Sequence, residues 1–209
     1  GPQTDFLAAG EREVLYGGSA GGGKSYAMLA DPLRFMGHPA FSGLLLRHTT
    51  EELRELIFKS QEMYPKIWPG IKWSERKMQW TAPSGARLWM SYLDREDDVL
   101  RYQGLAFSWI GFDELTQWPT PFAWNYMRSR LRSTAHDLPV YMRATTNPGG
   151  RGHHWVKKMF IDPAPHGTPF DATDIETTEV LRYPAGHAKA GKPLFKRRFI
   201  PARLSFFFF

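Results

Sequence analysis

The sequence predicts an α/β fold in which helices flank a mostly parallel central sheet with an antiparallel hairpin insertion. Three observations support this prediction. Short apolar runs alternate with segments that have helical spacing, a glycine-rich loop separates the first strand from the first helix, and residues 78–93 form two β-rich halves around a turn.

The first half of the chain has clear strand and helix signals. Residues 14–16 predict a buried strand, and residues 24–35 predict a helix that Asp31-Pro32 disturbs. Residues 43–47 predict a second buried strand. The run from Thr49 to Glu52 is a capping-box start for a helix, whose apolar face is then Leu53, Leu56, Ile57, Ser60 and Tyr64.

The second half continues the alternation after the hairpin of residues 78–93. In order, we expect an acidic loop at 94–98, a buried strand at 109–112, a helix at 119–132 and a strand at 140–145 that ends in a turn at 147–150. The tryptophans of these segments are expected in the core or at a subunit interface: Trp73, Trp80, Trp89, Trp109, Trp118 and Trp124.

Composition narrows the possible functions. The 209 residues suffice for one large domain or at most two small ones. The absence of cysteine excludes disulfides, thiolate metal sites and cysteine nucleophiles. The net charge of +6 is uneven, since residues 1–150 have 17 basic and 16 acidic side chains while residues 151–209 have 10 and 5. A basic C-terminal end suits nucleic acid, although a solvated basic face is the plainer alternative.

Residues 18–25, GSAGGGKS, match the phosphate-loop pattern G-x-x-x-x-G-K-[ST] at every fixed position. Glycines let backbone N–H groups turn toward an anion, and the following helix directs its positive end at the same place. Lys24 can reach the β- and γ-phosphates of ATP, and the Ser25 hydroxyl can ligate Mg²⁺. The predicted nucleotide-binding residues here are Gly18, Ser19, Ala20, Gly21, Gly22, Gly23, Lys24, Ser25 and the adjoining Tyr26.

Two further groups of polar residues follow predicted strands. Asp113 and Glu114 end a strand, where Asp113 can hold Mg²⁺ and Glu114 can polarise the attacking water; two acids at a surface strand end are the alternative. Thr145, Thr146 and Asn147 can sense the γ-phosphate, but from the residues alone a simple Asx/Pro turn is favoured. His153 and His154 do not have the spacing of a metal site, and we expect DNA backbone contact or packing.

The order of these motifs closely resembles the large terminase subunit of tailed bacteriophages over almost the whole chain. The motifs are QxxFL from Gln3, YGGSAGGGKS from Tyr16, LRxT from Leu46, RYQG from Arg101, GFDE from Gly111, TTNPGG from Thr145 and GHHWVK from Gly152.

The resemblance implies a P-loop NTPase of the RecA-like, ASCE type in which Glu114 is catalytic and Gln3 reads adenine. It makes Thr145, Thr146 and Asn147 the coupling motif, which reverses the preference from the residues alone. It also implies that the strand of Asp113 lies beyond the coupling strand and not beside the phosphate-loop strand.

Two arginines are candidates for the finger that stabilises charge on the transferred phosphoryl group. We favour Arg101, acting on the ATP of a neighbouring subunit, with Arg47 as a sensor in its own subunit. The alternative for either is an ordinary salt bridge to the acidic loop.

The family implies a motor that hydrolyses ATP with Mg²⁺ and packages double-stranded viral DNA. Its expected partners are this DNA, the portal protein and the small terminase subunit, and the chain is expected to form a ring on the procapsid, at the portal in the host cytoplasm, to be monomeric in isolation and to contact no membrane. We expect residues 1–204 to be the motor domain and residues 205–209 an artificial tail, with a true docking tail as the alternative. No acidic cluster remains for a nuclease domain, so DNA cleavage is not expected.

Two other functions remain open on the sequence. One is a helicase or recombinase-like ATPase that acts on single-stranded nucleic acid. The other is an assembly module in which ATP only orders a subunit interface.

Overall fold

A nine-stranded sheet forms the centre of the chain in the computed structural model, which describes residues 1–18 and 23–202. The strands are β1 (Glu13–Gly17), β2 (Ser42–Arg47), β3 (Lys72–Ser74), β4 (Gln79–Thr81), β5 (Arg87–Tyr92), β6 (Trp109–Phe112), β7 (Tyr141–Thr146), β8 (Phe170–Asp171) and β9 (Lys196–Pro201).

Helices connect the strands. The α-helices are α1 (Pro2–Ala8), α2 (Lys24–Ala30), α3 (Thr50–Ile67), α4 (Phe122–Arg128) and α5 (His153–Val156), with 3₁₀ segments at Asp31–Phe35, Glu96–Tyr102 and Leu115–Gln117 and a π-helical turn at Lys157–Ile161. In the described ranges, no helix combines the length and the apolar character needed to cross a bilayer.

The strand order is β3-β4-β5-β2-β6-β7-β1-β9-β8. The neighbouring strands β5, β2, β6, β7, β1 and β9 pair in parallel. Three pairs are antiparallel, namely β3 with β4, β4 with β5 and β8 with β9. The predicted α/β class and antiparallel insertion are therefore confirmed. Strand β7 lies between β1 and β6, which is the order that the resemblance implied.

The register of the parallel strands brings their carboxyl ends to one edge. Leu46 on β2 is opposite Phe112 on β6, Phe112 is opposite Ala144 on β7, and Tyr16 on β1 is opposite Thr145. Each strand is followed by polar or glycine residues, so the register places these residues side by side. This edge is where open parallel sheets form ligand sites.

The end of α2 is bonded to the amino ends of two strands, at the edge of the sheet opposite the ligand-binding edge. The helix changes to 3₁₀ geometry at Asp31, next to Pro32, as the sequence predicted. The buried Asp31 carboxylate accepts hydrogen bonds from Trp109 Nε1 at 2.9 Å and from the Tyr141 hydroxyl at 2.6 Å. Because these residues begin β6 and β7, one carboxylate ties the helix to both strands.

The predicted start and apolar face of α3 are confirmed. The Thr49 Oγ1 accepts a hydrogen bond from the Glu52 N–H at 3.3 Å, which satisfies one of the free donors of the first turn. The five residues predicted to face the core are buried: Leu53, Leu56, Ile57, Ser60 and Tyr64.

Several segments differ from their predictions. The helix predicted at 119–132 is only Phe122–Arg128, because Pro121 occupies its N-cap and the chain leaves helical geometry after Ser129. The acidic loop at 94–98 is partly a 3₁₀ segment that begins at Glu96. The sequence did not predict α1, α5, β3, β8 or β9.

Four of the six tryptophans are core residues and two are partly buried. Trp80, Trp109, Trp118 and Trp124 have at most 2% of their surface exposed, and Trp73 and Trp89 pack at the margins of the core. The predicted tail at 205–209 lies outside the described residues.

Candidate active site

A cavity of about 290 Å³ opens at the carboxyl edge of the sheet, where the phosphate-loop, acidic and coupling segments meet. The predicted nucleotide-binding residues Ser19, Ala20, Gly21 and Gly22 lie outside the described residues. The residues that line the cavity are Gly23, Lys24, Ser25, Tyr26, Lys59, Asp113, Glu114, Thr145 and Asn147.

Gly17, which precedes the phosphate loop, and Gly23, near its end, both occupy positions that favour glycine. A Cβ on Gly17 would lie 2.2 Å from the Thr146 carbonyl oxygen, so β1 and β7 approach too closely there for any side chain. Gly23 has φ +64° at the N-cap of α2. The Gln3 Nε2 donates a hydrogen bond to the Gly23 carbonyl at 3.2 Å, which places α1 against this end of the loop.

Lys24 is the first residue of α2 and is only 7% exposed. Burial lowers the pKa of its ammonium group, although the carboxylates of Asp113 and Glu114 oppose this effect. A buried cation beside a cavity and a helix N-terminus is suited to a phosphate.

Asp113 has three side-chain partners in the site. The Ser25 hydroxyl donates to its Oδ2 at 3.3 Å, Thr145 Oγ1 donates to its Oδ1, and the Arg47 guanidinium pairs with Oδ2. The Ser25–Asp113 pair fits Mg²⁺, which usually binds one or two protein oxygens and takes its other ligands from phosphates and water. In the described ranges, no three His, Asp or Glu side chains converge as metal ligands.

Glu114 is held in a conformation that is uncommon for a residue with a side chain. It has φ +60° and ψ +62°, its N–H donates to Thr145 Oγ1 at 2.9 Å, and the Asn147 Nδ2 donates to its Oε1 at 3.1 Å. Burial raises the pKa of the Glu114 carboxyl; Arg47 opposes this rise, and Asp113 adds to it. A raised carboxyl pKa suits a group that accepts a proton.

The three predicted coupling residues connect the acids to the elements behind them. Thr145 bridges Asp113 and the Glu114 N–H through one hydroxyl. The Thr146 and Thr116 hydroxyls are 3.3 Å apart. Asn147 Oδ1 is buried, and among the described residues it has no hydrogen-bond partner, so it is available to a bound water or ligand atom.

The two candidate arginines lie in different places. Arg47, 7% exposed, pairs with Asp113 and lies 3.8 Å from Glu114 Oε2. Burial alone would lower the pKa of Arg47, but Asp113 and Glu114 together raise it. Arg101 is not among the described lining residues; its side chain is 44% exposed and lies 3.5 Å from Asp98 Oδ2.

Two residues of α3 lie in or beside the candidate active site and were not predicted from the sequence. Lys59 lines the cavity, and its Nζ lies 5.5 Å from the centre of the Tyr26 ring. Glu52 Oε2 lies 3.6 Å from Arg47 Nε. From the sequence, Glu52 was predicted only to cap the start of α3. His153 and His154 are both exposed at the start of α5.

The sheet order and the cavity together define the class of protein. A strand lies between the phosphate-loop strand and the acid strand, and Lys24, Ser25, Asp113 and Glu114 meet at one cavity. This is a P-loop NTPase fold of the ASCE type. The chain belongs to the family described as terminase large subunit, T4likevirus-type, N-terminal, which it matches over residues 15–191.

Solved structures give the same fold. The Thermus phage P74-26 large terminase ATPase domain matches with a TM-score of 0.57 and 12% identity, covering 96% of this chain and 78% of that one. The large terminase from a thermophilic bacteriophage matches with a TM-score of 0.56 and 17% identity, covering 76% and 42%, and its complex with ATP-gamma-S matches with a TM-score of 0.55.

The N-terminal domain of the DNA packaging ATPase from bacteriophage phi29 matches with a TM-score of 0.52 and 18% identity, covering 71% of this chain and 81% of that one. The match to the large terminase of the thermophilic bacteriophage spans only 42% of the length of that protein. A search of curated protein sequences gave no match.

Proposed function

We propose that this chain is a motor domain that hydrolyses ATP with Mg²⁺ to move double-stranded viral DNA into a procapsid. The observation that supports this most is the convergence of Lys24, Ser25, Asp113 and Glu114 on one cavity with the Thr145–Asp113 bond behind them. Family membership, the ATP-gamma-S complex of the thermophilic bacteriophage's large terminase and the phi29 DNA packaging ATPase give further support.

Each residue has a proposed role in hydrolysis. In this proposal Lys24 and the loop amides bind the phosphates, Gln3 reads the adenine, and Tyr26, which lines the cavity, contacts the nucleotide. Ser25 and Asp113 hold Mg²⁺, which neutralises phosphate charge when bound. Glu114 accepts a proton from the attacking water, and its raised pKa favours that transfer.

The coupling role of residues 145–147 rests on the Asn147–Glu114 hydrogen bond. A bound γ-phosphate would compete for both groups, so its loss would change this bond. Thr146 contacts Thr116, and the Thr116 carbonyl accepts a hydrogen bond from the Gly152 N–H at 2.7 Å, just before α5. These contacts would transmit the change from β7 to α5. Discrete hydrogen-bond rearrangements of this kind can connect two sites.

The remaining predictions stay part of the proposal. Residues 1–204 form the motor domain. Its partners are duplex DNA, the portal protein and the small terminase subunit. The chain is a monomer in isolation and forms a ring at the procapsid portal in the host cytoplasm.

Phosphate release with and without free Mg²⁺ tests the hydrolysis. We expect turnover with Mg²⁺, loss of turnover when Mg²⁺ is chelated, and stimulation by duplex DNA in the presence of procapsids. Stimulation by single strands but not by duplex would contradict the motor and favour a helicase-like ATPase. Nucleotide binding without turnover, even with procapsids and duplex, would favour an assembly module.

Mixing two inactive variants in the presence of procapsids, where the ring is proposed to form, tests the proposed trans role of Arg101. We expect Arg101→Ala to bind ATP but lose turnover, since an arginine finger contributes about 10³-fold or more to the rate. Addition of Glu114→Gln subunits should restore turnover, because each variant then supplies the group that the other lacks.

Arg95→Ala is the matched control. Arg95 belongs to the same segment, is 77% exposed and lies 3.5 Å from Asp97, so this variant should keep turnover without mixing. Recovery that fails at every mixing ratio would count against a trans role for Arg101.

A further inference from the structure

The C-terminal part of the chain contains a basic hairpin, residues 181–194, that the nucleotide site does not use. No acidic residue follows Glu179 in the sequence. The hairpin has Arg182, Lys189 and Lys192 on its exposed surface. Its net charge is therefore positive with no acidic side chain of its own.

Backbone hydrogen bonds fix the shape of this basic hairpin. The Tyr183 N–H donates to the Lys192 carbonyl at 3.0 Å, and the Gly191 N–H donates to the Tyr183 carbonyl at 3.0 Å. At its base, the Leu194 N–H donates to the Leu181 carbonyl at 2.8 Å. Its lysines are thus presented on an ordered scaffold, which lowers the entropy cost of binding.

A groove of about 600 Å³ lies between the basic hairpin and the edge of the sheet. Of the three lysines in its lining, Lys196 is hydrogen-bonded to the Asp171 carboxylate at 3.0 Å. Within the described ranges, no carboxylate is within salt-bridge distance of Lys189 or Lys192. The lining includes Asp171, Tyr183, Lys189, Lys192, Phe195 and Lys196.

The one tyrosine of the groove is already in contact with neighbouring side chains. The Tyr183 ring stacks on His187 with centroids 4.5 Å apart, and the Lys189 Nζ lies over the ring at 5.7 Å. Proteins that bind single strands use open aromatic faces for base stacking. This groove offers cations instead, which suits the phosphates of a double helix.

We infer that the basic hairpin and its groove bind the phosphate backbone of duplex DNA, with Lys189 and Lys192 as contacts. The inference rests on the proposed function only for the choice of DNA as the polyanion. The hairpin leads into the first residues of β9, where Arg197 lies opposite Glu13 at the start of β1, so the contact would lie at the amino edge of the sheet, away from the phosphate loop.

Duplex binding by the full chain without nucleotide tests this inference. Lys189→Ala/Lys192→Ala should weaken binding to a duplex of about 40 base pairs about tenfold at roughly 0.1 M salt. It should also reduce the slope of log K against log salt by about 2, since each lost phosphate contact removes about 0.9. The control Lys72→Ala/Lys77→Ala removes the same charge near the opposite edge of the sheet and should change neither quantity.

Three results would overturn the inference. They are unchanged duplex binding by the hairpin variant, an equal loss in the control, and a larger loss for a single strand of the same length than for the duplex. Thermal unfolding of both variants establishes that they are folded. Because no nucleotide is present, failure of ATP hydrolysis would not affect the result, and failure of duplex binding would leave hydrolysis standing.

Discussion

Glu114→Gln is expected to reduce ATP turnover by about 100-fold to 10,000-fold while nucleotide binding remains. Gln keeps the size of the side chain but cannot accept a proton from water. The backbone N–H of residue 114 would still donate to Thr145, so the Asp113 arrangement should stay intact. Phosphate release and fluorescent-nucleotide binding measure the two effects separately.

Glu55→Gln is the matched control for the catalytic prediction. Glu55 is exposed on α3, and the same substitution there should change neither turnover nor binding. If the proposed motor role holds, DNA packaging into procapsids should stop together with hydrolysis in Glu114→Gln. Packaging that continues in the absence of turnover would show that ATP orders an interface and does not drive a motor.

Glu13→Gln is expected to lower the free energy of unfolding by about 3–5 kcal/mol, the usual cost of breaking a buried ion pair by removing one partner. Glu13 is fully buried at the start of β1. Its Oε1 accepts hydrogen bonds from Arg197 Nε at 2.9 Å and Trp124 Nε1 at 3.2 Å, and Arg128 pairs with the same carboxylate. The substitution leaves two guanidinium groups without their counter-charge. Urea unfolding at neutral pH measures the loss.

The pH dependence of this loss gives a second check. Burial would raise the pKa of Glu13, but the Arg128 and Arg197 guanidinium groups outweigh burial and lower it from 4.5 to about 2. Because the folded-state pKa is the lower one, the stabilisation is present above pH 4.5 and is lost as pH falls toward 2. The difference in stability between wild type and Glu13→Gln should therefore shrink over this range.

Glu75→Gln serves as the exposed counterpart of Glu13→Gln. Glu75 pairs with Arg54 at the surface, where both side chains are about half exposed, and solvent screening leaves such a pair with little effect on stability. A loss at Glu13 no larger than the loss at Glu75 would contradict the account of the buried cluster.

The sequence predicted those parts of the fold and site that depend on local signals. The phosphate-loop pattern, the Thr49 cap and the acids after an apolar strand each occupy a few consecutive residues. The position of β6 beyond β7 followed from family resemblance, since no local signal sets strand order. Regular strand spacing then aligned Arg47, Asp113 and Thr145 at one edge.

The missed elements depend on contacts between distant residues. Strand β9 reads as a basic segment, KRRFIP, with little apolar alternation. Arg197 is buried there because Glu13, 184 positions away, supplies a counter-charge. Lys59 likewise reaches the cavity from the middle of α3, and only the packing of that helix places it there.

The pairing of β9 with β1 determines how the domain would respond to a mechanical load. The two strands run parallel in register from Glu13 opposite Arg197 to Gly17 opposite Pro201, and the Ala202 N–H donates to the Gly17 carbonyl at 2.8 Å. A pull on residue 202 along the strand direction would load this ladder in shear, so its hydrogen bonds would share the force and would not open one after another. The tension would pass directly to the strand that leads into the phosphate loop.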